Sequence, residues 1–166
     1  MPMPEFLRAL RERVGHAPLF LSGVAGVVLD ADDRLLLTRR SDLGYWALPS
    51  GIVEPGEQPA RTLHRELAEE CDVTVQIEGL VSLRSGDEVR YPNGDRASYL
   101  TALFRCRLHA GTARVADEES TAVGWFAPEA LEELHTGGVL PAHQLVRARE
   151  GLAWRPGGPA GFDEPH

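Results

Sequence analysis

The amino-acid sequence predicts a single α/β (α+β) domain in which helices pack on the faces of a mixed β-sheet. Three observations lead to this fold class. The chain has 166 residues, enough for one domain with a sizeable core. Hydrophobic residues make up 43% and charged residues 25%, which is the balance of a globular protein. Strand patterns and helical patterns follow in the order strands, helix, strands, helix, so both kinds of element are expected to share one core.

The first part of the chain combines a helical pattern with two strand patterns. Apolar residues recur at helical spacing from Phe6 to Val14, and Gly15 ends the pattern, as expected for a short amphipathic helix. The predicted elements here are a helix over 6–14, strands over 19–29 and 34–39, and a loop with short extended pieces over 41–56.

The second part follows the same two periodicities. Residues 58–71 contain no glycine, place Pro59 in the first turn and carry an apolar face, so they are predicted to form a helix. The pair Asn93-Gly94 predicts a hairpin turn between two strands. The later predicted elements are strands over 73–83, 97–108 and 121–126 and helices over 128–135 and 140–150.

Composition divides the chain into three parts. Residues 1–16 are predicted to be an N-terminal helical extension, and residues 17–150 the main domain. Gly and Pro are frequent after residue 150, so residues 151–166 are predicted to be a flexible C-terminal tail.

Charge and cysteine content restrict the partners and the compartment. The formal net charge is −8, so the surface repels a nucleic-acid backbone, and no stable nucleic-acid binding is expected. No apolar run is long enough to span a membrane, and the first residues lack the basic and apolar regions of a signal peptide. Two cysteines, Cys71 and Cys106, are too few for a disulfide framework. We therefore expect a cytoplasmic protein with no membrane partner.

Three glutamates share one face of the helix predicted over residues 58–71. Glu66, Glu69 and Glu70 stand at positions i, i+3 and i+4, where like charges repel. Glu57 lies just before the helix and can fold back toward the same region. Such a set of carboxylate oxygens suits a hard cation such as Mg²⁺ or Mn²⁺. The alternative interpretation is a solvated acidic helix face that binds no metal.

The surroundings of this face favour the functional interpretation. Arg65 can hold a neighbouring carboxylate, and Gly51 and Gly56 mark a tight loop. The segment resembles the Nudix box, Gly-x5-Glu-x7-Arg-Glu-U-x-Glu-Glu-x-Gly-U, in which U is aliphatic. The matching residues are Gly51, Glu57, Arg65, Glu66, Leu67, Glu69, Glu70 and Val73. Asp72 replaces the last glycine, and because Asp tolerates positive φ we expect the helix end and the box to remain intact.

The resemblance extends beyond the box to residues 44–49 and, through the order of strands, from about Leu21 to Phe126. It implies a member of the Nudix (MutT-like) hydrolase family, with an α/β/α sandwich built around a mixed sheet. Enzymes of this family hydrolyse a nucleoside diphosphate linked to another group. The resemblance therefore implies a pyrophosphohydrolase that depends on a divalent cation, since such cations neutralise the charge of a diphosphate and activate water.

Residue by residue, the resemblance also implies a ligand set. Glu66, Glu69 and Glu70 are the expected metal ligands, and the carbonyl of Gly51 is a further one. Mg²⁺ is the expected cofactor, with Mn²⁺ as the alternative. Arg65 is expected to orient the carboxylates through hydrogen bonds.

The general base has three candidates. Glu66 is one of them, since the family supplies its base from different places. The second is Glu119, in an acidic run that precedes a predicted strand, where relatives often carry a loop carboxylate near the metals. Glu118 can replace Glu119, because a shift of one residue is not resolved by sequence. The alternative interpretation of this run is a solvated turn.

Four residues are candidates for binding the substrate. Arg39 and Arg40 end a predicted strand near the expected cleft and can bind phosphate, although they fit a surface pair equally well. Trp46 can stack on a base or pack beneath the loop, and packing is the simpler interpretation. Tyr91 lies beside the predicted turn and can line the edge of the site.

The box does not select the substrate, because all classes of the family share it. The candidates are nucleoside triphosphates, nucleotide sugars such as ADP-ribose, and dinucleoside polyphosphates. Two other functions occur on this fold: a non-catalytic nucleotide-sensing module, and an isomerase acting on an isoprenoid diphosphate. Metal-dependent turnover distinguishes the enzyme from the sensing module. A homodimer is compatible with the sequence, with the N-terminal helix or a sheet edge as the contact.

Overall fold

The structure, a computed structural model, describes residues 3–162 and confirms the predicted fold class of a mixed sheet between helices. The helices are α1 (Glu5–Val14), α2 (Pro59–Cys71), α3 (Ala130–Thr136) and α4 (Ala142–Ala153). The strands are β1 (Leu19–Leu29), β2 (Leu35–Arg40), β3 (Trp46–Ala47), β4 (Ser50–Ile52), β5 (Val73–Ser85), β6 (Val89–Arg90), β7 (Arg96–Gly111) and β8 (Ser120–Phe126). None of the helices within the described range is long and apolar enough to cross a membrane.

The central strand of the sheet, β1, separates from its neighbour β2 along most of its length. Its strands follow the order β3-β2-β1-β7-β5, with β1 and β7 parallel along their shared length. The end of β1 pairs with β2 through Leu29 and Leu35, whereas residues 23–25 pair with β4 instead. β1 and β2 therefore diverge, and β4 places Gly51 directly beside the first half of β1, opposite Val24.

Alternation along β1 divides the core between two layers. Val24 and Val28 face α2, while Val27 and Leu29 face α3 and α4. The α2 layer is completed by Leu63, Leu67, Cys71, Val73, Val75, Ala102 and Cys106, and the other layer by Leu131, Leu140, Leu145, Ala148 and Leu103. The sheet thus holds helices on both faces, which fixes α2 and α4 on opposite sides of the opening.

Both cysteines lie in the α2 layer. Cys71 and Cys106 are free and fully buried, and burial raises the pKa of each thiol to about 12. A thiol with so high a pKa is a poor nucleophile at neutral pH. The two cysteines therefore serve the core rather than any chemistry.

Helix α1 packs against the sheet instead of standing apart from it. Leu7 is buried against Leu21 of β1 and Ala97 of β7. Arg11 donates a hydrogen bond of 2.8 Å to the carbonyl of Arg96 and others to the turn that follows the helix. These contacts hold the N-terminal extension across one end of the sheet.

The C-terminal end of α2 forms despite the missing glycine of the box. Asp72 caps the helix in the left-handed conformation, with φ 55° and ψ 37°, and its N–H bonds to the carbonyl of Ala68. Its carboxylate accepts a 2.8 Å hydrogen bond from Arg114, and both side chains are exposed. The expectation that Asp can adopt positive φ here is confirmed, and the carboxylates of α2 keep their register.

The chain beyond residue 150, predicted as a flexible tail over residues 151–166, begins as a continuation of the last helix. Helix α4 continues to Ala153 because its apolar face still meets the core, with Gly151 buried against Val27. Trp154 then packs on the same core cluster. Residues 163–166 of the predicted tail lie outside the described residues.

Residues 154–162, which we call the C-terminal segment, pair with β5. The N–H of Gly161 donates to the carbonyl of Val81 at 2.7 Å, and its carbonyl accepts from the N–H of Leu83 at 3.1 Å. Gly161 and Ser82 form an isolated parallel bridge. Backbone hydrogen bonds thus join the C-terminal segment to β5, and the flexibility expected of residues 151–166 stays a prediction.

Candidate functional site

A cleft of about 740 Å³ lies where β1 and β2 diverge. Its walls come from α1, β1, β4, β7, α4 and the loops after β2 and β5, so segments distant in sequence meet there. Glu66 of α2 reaches the cleft beside Gly51, and Glu119 approaches from the loop before β8. Glu70 faces a small adjoining cavity that is also lined by Glu119 and Arg40.

The approach of α2 to β4 depends on Gly51 having no side chain. A Cβ built on Gly51 would lie 2.1 Å from the carboxyl carbon and from Oε1 of Glu66. Real contacts of this kind do not come so close, so only glycine leaves room for Glu66 at this position. The first glycine of the box is thereby explained by sterics: it seats the Glu66 carboxylate against the strand.

Arg65 links the carboxylates of the box. Its guanidinium donates to both carboxylate oxygens of Glu57 at 3.0 Å, to Glu66 at 3.0 Å and, at a longer 3.4 Å, to Glu69. The hydrogen bonds from Arg65 lower the pKa of Glu57 to about 2, so Glu57 stays ionised. These are the contacts that the predicted orienting role of Arg65 requires, and the role itself stays a prediction.

Two of the glutamates are buried, and burial makes their ionised form unfavourable. Glu66 is 3% exposed and Glu70 5% exposed. Burial is the largest cause of the rise in the pKa of Glu66 to about 7, with Glu69 and Glu119 adding repulsion against the opposing effect of Arg65. Burial, followed by the charges of Glu66 and Glu119, raises the pKa of Glu70 to about 8. Both groups would be stabilised as carboxylates by a cation.

The predicted ligand set is only partly assembled. Glu66 and Gly51 are in contact and Glu70 lies close by, but Glu69 is about half exposed and bonded to Arg65. Within residues 3–162, no group of three His, Cys, Asp or Glu side chains is arranged to hold one metal ion. Arg65 lies between the two box carboxylates, 3.0 Å from Glu66 and 3.4 Å from Glu69.

The donor set nevertheless has the chemistry that a divalent cation needs. The carboxylates are oxygen ligands, and two of them are buried. Their pKa values are raised first by burial and then by neighbouring carboxylates, and a cation would oppose both effects. The residues therefore fit a hard cation by charge and ligand type.

The loop before β8 separates the two acidic candidates for the general base. Glu119 lines the main cleft, and its charge influences both Glu66 and Glu70. Glu118 is exposed and is not among the residues lining the cleft. The N–H of Glu119 bonds to the carboxylate of Asp117, and its carbonyl accepts from the N–H of Ser41, so the loop is held in place.

Two of the four predicted substrate-binding residues line the cleft. Arg40 does so with its guanidinium bonded to both carboxylate oxygens of Asp42, at 2.9 and 2.8 Å. Tyr91 does so as well, and its hydroxyl shares a 2.7 Å hydrogen bond with the hydroxyl of Tyr99. Burial and this hydrogen bond raise the pKa of Tyr99, so it remains a neutral hydroxyl.

The other two predicted substrate-binding residues, Trp46 and Arg39, are not among the residues that line the cleft. Trp46 packs edge-on against Phe126, with ring centroids 4.8 Å apart, because both rings complete the core on the α4 side of the sheet. Arg39 points away from the cleft lining, is exposed, and donates to the carbonyl of Gly44. The register of β2 against β8 shifts between Arg39 and Arg40, so the two side chains are separated at an irregular end of the strand.

The structure adds cleft residues that the sequence did not reveal. α1 contributes Leu7 and Arg11, and α4 contributes His143, Gln144 and Arg147. None of these stands in a motif with diagnostic spacing, and each helix reads as an ordinary amphipathic segment. Helices α1 and α4, which are far apart in sequence, meet at this cleft because of the sheet topology. The structure shows this topology, and local sequence patterns do not.

The comparisons with known proteins agree with this architecture. The sequence model of the NUDIX domain matches residues 19–148, from the start of β1 into α4. A MutT-like protein of Streptomyces ambofaciens is 38% identical over 116 residues, covering 70% of both chains. The human 8-oxo-dGDP phosphatase NUDT18 is 33% identical over 114 residues, which cover 65% of this chain and 32% of that protein. The chain thus spans about a third of the human relative's length.

The fold is similar to solved structures at lower sequence identity. A Nudix-family hydrolase from Clostridium perfringens superposes with a TM-score of 0.66 at 20% identity, covering 80% of this chain and 95% of that one. At so low a sequence identity, the similarity shows only that the two proteins share a fold. The family model covers most of the chain, and the box carboxylates stand at a cleft. The chain therefore belongs to the Nudix family of hydrolases, and it is a pyrophosphohydrolase of that family.

Proposed function

We propose that the protein hydrolyses the diphosphate linkage of a nucleoside diphosphate derivative and depends on a divalent cation to do so. One observation carries the proposal: the buried carboxylates of Glu66 and Glu70 meet Glu119 where β4 opens the sheet. A buried carboxylate costs stability, and at Glu66 the guanidinium of Arg65 offsets only part of that cost, since the pKa stays raised. Ionisable groups perturbed in this way are typical of functional sites.

We propose Mg²⁺ as the cation, with Mn²⁺ as a substitute. Glu66 and Glu70 would hold it together with the Gly51 carbonyl, and Glu69 would join them by leaving Arg65. When bound, such an ion supplies neutralisation of the diphosphate charge and activation of water. The support is the type and burial of the donors, as described above.

The chain's own residues would act around that site. Arg65, already bonded to Glu57 and Glu66, would keep the Glu66 carboxylate in one orientation. Glu66 and Glu119 are the two general bases that the cleft supports, because both face its interior while Glu118 does not. Arg40 and Tyr91 line the cleft where a substrate would extend from the acidic end.

The substrate class is proposed from the cleft and from the relatives together. The name of the human relative records 8-oxo-dGDP as its substrate, which is a nucleoside diphosphate. Nucleoside triphosphates, nucleotide sugars such as ADP-ribose and dinucleoside polyphosphates share the same linkage, and the cleft volume admits a nucleotide. A homodimer stays an expectation from the sequence.

A hydrolysis screen tests the proposal. The full chain would meet these three substrate classes with Mg²⁺, with Mn²⁺ and with EDTA, and the products would be separated by chromatography. We expect metal-dependent turnover of at least one class, with a nucleoside monophosphate among the products. Cleavage that persists in EDTA would contradict the metal proposal. Failure to cleave any member of the panel, alongside thermal stabilisation by one of them, would favour the nucleotide-sensing module.

The assignment of Glu119 can be tested against its neighbour. Replacing Glu119 by Gln is expected to reduce kcat at least about tenfold if it takes the proton from water, whereas Glu118→Gln should leave kcat unchanged. The two variants carry the same chemical change one residue apart, and only one faces the cleft. A pH–rate profile would follow each variant. Unchanged kcat in both variants would exclude Glu119 and leave Glu66 as the base, and an equal loss in both would contradict a specific role of Glu119.

A further inference from the structure

A cationic side chain occupies the α4 side of the cleft, away from the carboxylates of α2. Arg147 lies in the cleft lining and is half-buried. Its Nη2 donates to the hydroxyl of Thr101 on β7 at a long 3.4 Å, and the same nitrogen lies 3.7 Å from the position that a Cβ of Gly86 would take. His143, one helical turn earlier, and Tyr45 also face the cleft and contact each other edge to face.

Arg147 differs from the other arginines of the cleft in its charge balance. Arg40 is bonded to both oxygens of Asp42, and the Nε of Arg11 lies 3.4 Å from Asp95. For Arg147, no ion pair with a carboxylate of residues 3–162 is formed. Glu150, the carboxylate nearest along the helix, is taken by Arg84 and Ser82. Burial lowers the pKa of Arg147, and the opposing effects of Tyr45 and Glu150 do not cancel it, so the positive charge lacks full solvation.

Arg147 and Glu66 line the same cleft, and Gly23 of β1 lies in the lining between the residues they contact. The strand register places Thr101 opposite Gly23 of β1, and Gly23 opposite Ile52, next to Gly51. A Cβ at Gly23 would stand 3.5 Å from the carbonyl oxygen of Gly51 and 3.8 Å from the hydroxyl of Thr101. The ring of Tyr99 is equally near, with its Cδ1 3.5 Å from the same position, so Gly23 lies in the cleft between Thr101, Tyr99 and Gly51.

We propose that Arg147 binds a phosphate of the substrate that lies beyond the diphosphate being cleaved. The inference rests on the proposed function and refines it: a nucleoside with three or more phosphates is preferred over a nucleotide sugar whose second group is uncharged. A guanidinium is the side chain best suited to phosphate, because it offers paired N–H donors in one plane. The hydroxyl of Thr101 and the imidazole of His143 supply further polar groups on the same side.

The kinetic test compares Arg147→Gln with Arg149→Gln. Arg149 lies on the same helix, is exposed and is paired with Glu132, so it controls for loss of one charge on α4. The substrates are a nucleoside triphosphate, the matching diphosphate and the matching nucleotide sugar. We expect wild-type kcat/KM to favour the triphosphate, and Arg147→Gln to raise its KM by about 10- to 100-fold, since a charged hydrogen bond is lost. KM for the other two substrates should change little, and Arg147→Lys should restore part of the loss.

A similar loss on all three substrates, or none on the triphosphate, would overturn the role of Arg147. A binding measurement separates this outcome from failure of the proposed function. Inorganic tripolyphosphate, with EDTA present, is expected to raise the melting temperature of the wild type and of Arg149→Gln but not of Arg147→Gln. If no substrate is cleaved while this pattern holds, the hydrolase proposal fails and the phosphate site stands. Equal stabilisation of all three proteins would refute the site even in an active enzyme.

Discussion

Replacing Glu70 by Gln is expected to lower metal-dependent turnover at least about 100-fold, because several kcal/mol of transition-state charge stabilisation are lost with a metal ligand. Glu70 is buried and its carboxylate feels the charges of Glu66 and Glu119. Water has little access there to take over the role of the missing carboxylate. The shape of the side chain is kept, so the core around it should not change. Steady-state kinetics over a range of Mg²⁺ concentrations measure the effect.

The same substitution is expected to stabilise the protein at alkaline pH in EDTA. Burial and the neighbouring carboxylates raise the pKa of Glu70 from the ordinary 4.5 to about 8 in the folded state. Between these values the folded state holds a proton that the unfolded state releases. Stability then falls as pH rises through this window, and the penalty is complete above the folded pKa. Glutamine does not ionise, so the variant should gain roughly 1–3 kcal/mol at pH 9 relative to pH 4.

Urea unfolding at both ends of this pH window checks the stability prediction. The matched control is Glu69→Gln, which removes one charge from the same helix at an exposed position and should alter stability little. Wild-type turnover in Glu70→Gln would contradict the metal assignment. A variant that is no more stable than the wild type at high pH would show that Glu70 is not held in a costly ionised state.

Substituting Gly51 by Ala is the second change with a large expected effect. The added Cβ would fall 2.1 Å from the Glu66 carboxylate, so either the side chain or β4 must move. Overpacking of this kind costs about 1–3 kcal/mol in unfolding free energy. Because Glu66 would leave its place beside the strand, turnover should fall by about 100-fold or more. Kinetics and thermal unfolding of the purified variant measure both effects.

A double substitution shows whether the clash is responsible. In a Glu66→Ala background the carboxylate is absent, so adding Gly51→Ala should cost much less stability than it does in the wild type. Additive losses would mean that Gly51 acts through its backbone rather than through the space it leaves for Glu66. Turnover of Gly51→Ala equal to that of the wild type would refute the role assigned to this contact.

The part of the site that lies within one helix could be read from sequence. The spacing of Glu66, Glu69 and Glu70 fixes their common face, and the tolerance of Asp for positive φ anticipated the end of α2 at Asp72. The sequence could not predict which of these glutamates are buried, because all three have the same side chain. The structure buries Glu66 and Glu70 and leaves Glu69 about half exposed. Their difference arises from where α2 meets β4.

The rest of the cleft depends on contacts between distant segments. The sequence allows Trp46 to stack on a base or to pack on the core. In the structure its ring packs on Phe126, eighty residues later in the chain. Arg147 has no local pattern that marks it as a cleft residue, because its position follows from how α4 crosses the sheet. The first relation follows from the pairing of β3 and β8 with β2, and the second from the packing of α4 on β1 and β7. Periodicity within a window encodes neither.

The C-terminal segment has a consequence for how molecules of this protein meet. β5 is the last strand on its side of the sheet, and an exposed edge strand invites pairing with a strand of another molecule. Gly161 occupies the backbone groups of Val81 and Leu83, so this stretch of the edge is capped from within the chain. A dimer formed by joining sheets here would first have to strip that segment away, and truncation before Trp154 would leave an edge open to aggregation.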